Sequence, residues 1–162
     1  MSDTKPLKRN SYIAEFSRDH HFGLLLVRKI RQGLNVNVQP ERIASYIVYM
    51  FVEDLSQHFK EEEEDLLFPL LPENDLMRKR AEEDHEKIYS LLDKFILLGF
   101  TSNTLLAFAD LLDRHIRFEE RELFNHIQTT AAEEELKNAS EKMVKRSHAY
   151  DENWKDNFWE TK

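Results

Sequence analysis

The stretch His58-Phe59-Lys60-Glu61-Glu62 is echoed later in the chain by His115-Ile116-Arg117-Phe118-Glu119. Residues four apart on a helix share a face, so each stretch aims an imidazole and a carboxylate at one point. An Asp-His pair stands upstream of each: Asp19-His20 before the first and Asp84-His85 before the second. The order Asp-His, then His-x-x-x-Glu, therefore occurs twice. Four histidines and two carboxylates are the donors needed to hold a pair of transition-metal ions.

The flanking sequence reads as helix throughout. Ile13, Phe16, His20, Leu24, Val27 and Ile30 recur at three- and four-residue steps, predicting a first helix over about 11–34. Gly33 and Asn35-Val36-Asn37 are expected to end it. Pro40 suits the first turn of a second helix, whose stripe is Ile43, Ile47, Phe51, Leu55, His58 and Glu62. Pro69 and Pro72 break the chain, and 72–75 is a plausible start for a third helix carrying Ala81, His85, Ile88, Leu92 and Phe95. That helix ends near Gly99. Thr101 or Ser102 can cap a fourth, with Leu105, Phe108, Leu112, His115, Glu119 and Leu123 on one face. Thr130 can cap a weaker fifth helix reaching about Lys145, and Tyr150, Trp154 and Phe158 predict a short last one. No segment alternates with a strand's period, and only three glycines and four prolines interrupt the chain.

These readings give an all-α, up-down-up-down four-helix bundle over 11–130, preceded by a tail at 1–10. A C-terminal helical extension at 131–162 is expected to pack on it. In such a bundle, residues equidistant from a turn lie at one height. His85 precedes Gly99 by about as far as His115 follows Ser102, and His58 and His85 flank the Pro69–Pro72 break at similar distances. His20 and His58 match less closely, within about 6 Å of rise. A lone histidine on an apolar stripe is usually a hydrogen-bonded core residue. Four at one level, with two inward carboxylates, are hard to satisfy without metal.

Bulk properties narrow the chemistry. With no cysteine, disulfides, thiolate metal sites and thiol catalysis are excluded, and a reducing cytoplasm is the simplest expectation. A net charge of −8 argues against a nucleic-acid surface built on phosphate neutralisation. No apolar run has the length of a membrane span, and the N-terminal stretch lacks the apolar core of a secretory signal. Mixed imidazole and carboxylate donors suit iron, manganese or zinc over magnesium and calcium.

The chain resembles the hemerythrin-like, or HHE cation-binding, family. The likeness rests on Arg18-Asp19-His20-His21 with the following Gly-Leu-Leu-Leu, on His58-Phe59 with the acidic run and Leu67-Phe68-Pro69, on Asp84-His85-Glu86, and on His115 through Glu119-Glu120 to Leu123-Phe124. The resemblance implies a four-helix bundle around a non-haem di-iron centre. His20, His58, His85 and His115 would be terminal ligands, and Glu62 and Glu119 bridging carboxylates, with a bridging oxygen ligand completing the pair of irons. It further implies O2, NO or peroxide as the small-molecule partner. Oxygen-carrying members have a further histidine one turn beyond the third-helix histidine, where this chain has Tyr89. The ligand set is then symmetric, which argues against a dedicated oxygen carrier. Iron-centre repair proteins of similar ligand set carry a cysteine-bearing N-terminal module that has no counterpart here.

Some choices stay open at this level. Aligning the two Asp-His pairs favours His20 over His21, and four-residue spacing favours Glu62 over Glu61 and Glu63. Asp19 and Asp84 could accept hydrogen bonds from ligand histidines, although neighbours on a helix point in different directions. Tyr89 could line the pocket or pack in the core. Leu24, Phe51, Ile88 and Leu112 are the expected apolar walls. His126 reads as structural and His148/Glu152 as a surface coincidence. Trp154, Phe158 and Trp159 read as docking hydrophobics.

Overall fold

The computed structural model describes residues 8–143 and 153–160, and among these the regular structure is entirely helical. Five helices follow one another: α1 (Ala14–Asn35), α2 (40–70), α3 (Leu76–Leu98), α4 (102–130) and α5 (Glu133–Lys142). Their ends follow local chemistry. Val36 leaves α1 and Asn37 adopts φ 57°, a left-handed turn that asparagine tolerates. Gly33 does not end the helix as expected. It lies inside the last turns, where a Cβ would stand 2.9 Å from the Phe158 ring. Pro40 takes the first position of α2, where its missing N–H costs nothing. The Asp75 carboxylate accepts from the N–H groups of Met77 and Arg78 to start α3. Thr101 and Thr104 bond reciprocally at the start of α4.

Two boundaries differ from expectation. Thr130 completes α4 instead of capping α5, because the chain turns extended only at Ala131 and Ala132. Glu135 then accepts the Ala132 N–H. Of the expected last helix, Asn153 is helical and residues 154–160 form an irregular turn. Its aromatic residues dock nevertheless. Trp154, Phe158 and Trp159 surround Tyr46 at ring distances of 5.3, 5.6 and 5.0 Å, and Lys29 sits 4.0 Å above the Trp159 ring. Tyr150, His148 and Glu152 lie outside the described residues. Phe158 is buried among these groups, so Phe158→Ala is expected to destabilise the protein by about 3 kcal/mol in a denaturant titration. A change under about 1 kcal/mol would mean that the turn contributes little to the core.

The interior is stratified. One apolar cluster gathers Ile30, Ile43, Tyr46, Ile47, Phe108 and Leu112, and a second gathers Phe16, Leu66, Leu67, Leu123, Phe124 and Leu136. His20, His58, Glu62, His85, His115 and Glu119, all buried, lie where the two clusters meet on each long helix. A polar layer so enclosed must find its partners within the protein.

A candidate metal centre

Each donor arrives on the buried stripe of its helix. His20 follows Phe16 by one turn on α1, and His85 follows Ala81 on α3. On α2 and α4 the local backbone is more particular. Glu62 and Glu119 each open a π-helical turn, at Glu62–Leu67 and Glu119–Leu123. Such a turn holds an extra residue and re-aims the side chains beyond it, and it recurs at functional positions. A third, Phe51–Leu55, lies upstream on α2.

All six residues singled out from sequence meet. Donor atoms of His20, His58, Glu62 and Glu119 lie within 4.8 Å of one another, and so do those of Glu62, His85, His115 and Glu119. Both glutamates belong to both groups, whereas each histidine belongs to one. His20 Nε2 stands 3.6 Å from Glu62 and 3.4 Å from Glu119, while His85 Nε2 is 3.4 Å from Glu62. His115 Nε2 is 2.7 Å from Glu119, and His58 Nε2 contacts Glu62. His20 and Glu62 reach the donor groups, whereas Glu61 accepts from Gln57 and His21 is exposed beside Phe22.

The outward-facing ring nitrogens show a regularity that sequence reasoning undervalued. His58 Nδ1 is 3.1 Å from Asp19, and His115 Nδ1 is 3.0 Å from Asp84. His20 Nδ1 is 2.6 Å from Glu120, and His85 Nδ1 is 2.8 Å from Glu63. Asp19 and Asp84 thus serve the histidine of the next helix, not their own neighbour. Glu63 and Glu120 were not anticipated in this role. The signal was present: a second glutamate directly follows each inward one, and the repeat is the same in both halves. The four bonds join α1 to α2, α2 to α3, α3 to α4 and α4 to α1, closing a ring around the layer.

In the neutral ring, these bonds select the tautomer. A neutral imidazole that donates from Nδ1 to a carboxylate presents a bare lone pair at Nε2. His85 Nε2 and His115 Nε2 face each other at 3.1 Å, where two lone pairs repel unless a positive charge stands near. His20 Nε2, His58 Nε2 and all four carboxylate oxygens of Glu62 and Glu119 are buried without a hydrogen-bond partner. A cation could serve as their common partner, and the nitrogen and oxygen donors fit a transition metal. A carboxylate behind each histidine is the arrangement that orients metal-binding imidazoles.

Electrostatics agree with that reading. Burial opposes charge on His58 and His115, but the neighbouring carboxylates outweigh it and push both up to about 9. His20 and His85 are also raised, against the same burial. Burial resists ionisation of Glu62, yet His58, Glu119 and His20 hold its carboxyl well below the usual range. Protons and metal ions compete for one set of donors. Asp84→Asn, which keeps shape and removes the acceptor charge, is expected to weaken metal binding about 10- to 100-fold in a chelator competition. Unaltered affinity would assign the Asp84–His115 bond to packing alone.

The walls are partly as expected. Ile88 and Leu112 are buried in the first apolar cluster, with Leu24 and Phe51 packed against it. Closer to the donors stand two rings that sequence reasoning passed over. Phe59 stacks on His85 at 4.3 Å, and Phe124 lies parallel to His20 at 5.3 Å. Tyr89 neither enters the cluster nor joins the deep core. It is partly exposed and packs edge-on against Phe51 and Phe59. His126 is structural, bonding Asp75 at 2.7 Å.

No match to the chain was found among curated proteins or among solved structures. A family model described as the hemerythrin HHE cation binding domain does match, over residues 11–127. That span contains all six inward donors and their four outer carboxylates, and the chain belongs to the hemerythrin HHE cation-binding domain family.

Proposed function

We propose that the protein holds two iron ions in the polar layer and uses them to bind O2, NO or peroxide, in sensing, storage or detoxification. His20 and His58 would hold one ion, His85 and His115 the other, and Glu62 and Glu119, which belong to both donor groups, would serve both. The observation carrying this reading is the enclosed layer of six donor residues, in which His20 Nε2, His58 Nε2 and the carboxylate oxygens of Glu62 and Glu119 lack protein hydrogen-bond partners. When bound, the metal pair supplies an open coordination position and the electrons for chemistry on a small diatomic. The chain supplies the rest. Asp19, Asp84, Glu63 and Glu120 hold the imidazoles in one tautomer, while Phe59, Phe124 and the two apolar clusters exclude water. The symmetric set of two histidines per ion leaves more room for an exogenous ligand than a five-histidine set would.

The up-down-up-down order is part of the same proposal. Along α1 and α3 the second apolar cluster comes before the polar layer and the first comes after it. Along α2 and α4 the sequence of layers is reversed. Short connections at 36–39, 71–75 and 99–101 suit antiparallel neighbours. Among the described residues no helix is long and apolar enough to cross a membrane. We place the protein in the cytoplasm on its lack of cysteine.

The donor set also suits zinc or manganese, so metal storage without gas chemistry is the second reading. Metal analysis and absorption spectra of purified protein separate the two. Two irons per chain, with a charge-transfer band that changes on adding azide or NO, are expected. A stoichiometric zinc or manganese content, or an iron spectrum indifferent to both ligands, would reject the gas-binding reading.

A further inference from the structure

The trough between α3 and α4 is lined by four cations and two carboxylates, with Arg80 also 3.6 Å from Glu122, although the chain carries −8 overall. Arg80, Lys87 and Lys94 follow at seven-residue steps along α3, and Arg114 faces them from α4 across an open trough of about 540 Å³. Two carboxylates, Glu83 and Asp84, share the lining, and Asp84 is engaged by His115. The floor is apolar, made by Leu91, Ala107 and Leu111. The short side chains of Ser90 and Ala107 keep it open. The same helical face continues past Lys94 to Leu97 and Leu98, which are 79% and 83% exposed. Large apolar residues so exposed at the end of a basic trough mark an interaction surface.

Cations repeating every two turns beside an apolar stripe complement a helix with leucine-like residues on one face and acids along its flank. We propose that the α3–α4 trough is a docking groove for an acidic amphipathic helix of a partner protein. Its volume would suit a small molecule too. A small anion, however, needs cations converging on one point, and here they are spread over about 20 Å of helix. The chain's own acidic helix, α5, is a poor occupant from a second copy, because its Leu136 and Ala139 are buried. The groove borders the donor layer, since His115 and Asp84 share its lining, but its cations and leucines lie outside the donor set.

The test uses the full chain and a fluorescein-labelled synthetic helix of about 21 residues, with Leu at the a and d positions and Glu at e and g. A twin peptide carries Lys in place of Glu. Fluorescence anisotropy should show the Glu helix binding at least about tenfold more tightly than its twin, with the advantage shrinking as salt rises. The double variant K87E/K94E should lose about tenfold or more, and L97S/L98S several-fold, with helical circular dichroism and metal content unchanged. Equal binding of both peptides, or indifference to K87E/K94E, overturns the proposal. So does displacement by millimolar pyrophosphate together with indifference to L97S/L98S, which would make the trough a small-anion site. A concentration-dependent dimer in sedimentation that K87E/K94E dissolves would overturn it in favour of a second copy.

Discussion

Glu119→Ala is expected to empty both metal positions, taking bound metal from about two ions per chain to nearly none. Glu62→Ala should do the same. The reason is connectivity: these glutamates belong to both donor groups, while every histidine belongs to one. Removing His58 or His115 takes a nitrogen from a single group and leaves the other with its two histidines and both carboxylates. Each histidine variant is therefore expected to lose its own ion first, and the second only as the bridge loosens. Metal analysis after gel filtration, with circular dichroism to verify helix content, reads the difference. If His58→Ala empties the protein while Glu119→Ala retains an ion, the bridging assignment is wrong.

The second large effect concerns pH. His58 and His115 are pushed up to about 9 from an ordinary 6.5, burial opposing the shift and carboxylates driving it. A raised folded-state pKa means that the protonated rings stabilise the fold fully below the unfolded value. That contribution is lost as pH climbs through about 9. Protein stripped of metal is thus expected to melt lower at pH 10 than at pH 6.5. Metal requires the unprotonated rings, so its uptake at pH 7 should release about two protons per chain from this pair, and affinity should rise between pH 7 and pH 9. Calorimetric titrations in two buffers of different ionisation heat measure the protons directly. Uptake with no proton release would mean that the rings are neutral before metal arrives, and the electrostatic account would fail.

Much of the site was legible because its spacing is helical. His58 and Glu62 share a face by the geometry of one turn, as do His115 and Glu119, and neither pair needs a partner helix to be recognised. The outer carboxylates were harder. Asp19 stands beside His20 in sequence but serves His58, since adjacent helical side chains diverge by about 100° and so reach a neighbouring helix. Glu63 and Glu120 were hidden within acid-rich stretches that otherwise read as solvated faces. Phe59 and Phe124 escaped notice because an aromatic on a buried stripe has no mark of what it stacks on. At the C-terminus, the four-residue spacing of Tyr150, Trp154 and Phe158 suggested a helix, whereas the chain forms a turn over 154–160. Docking on Tyr46 and Gly33 rewards placing the rings, whatever backbone delivers them.

Sequence by itself determined which residues could form helices, where most of those helices start and stop within a few residues, and that histidines and carboxylates recur on their buried faces, with His20 or His21 and Glu62 or its neighbours left as alternatives. These are local properties, written in a period of 3.6 residues and in the chemistry of helix ends. Only the tertiary structure decided that both glutamates belong to both donor groups, that each histidine is held by a carboxylate from a neighbouring helix, and that apolar clusters seal the layer on either side. Those facts depend on how four helices are rotated against one another. That rotation is set by packing summed over the whole interior and by no short stretch of the chain.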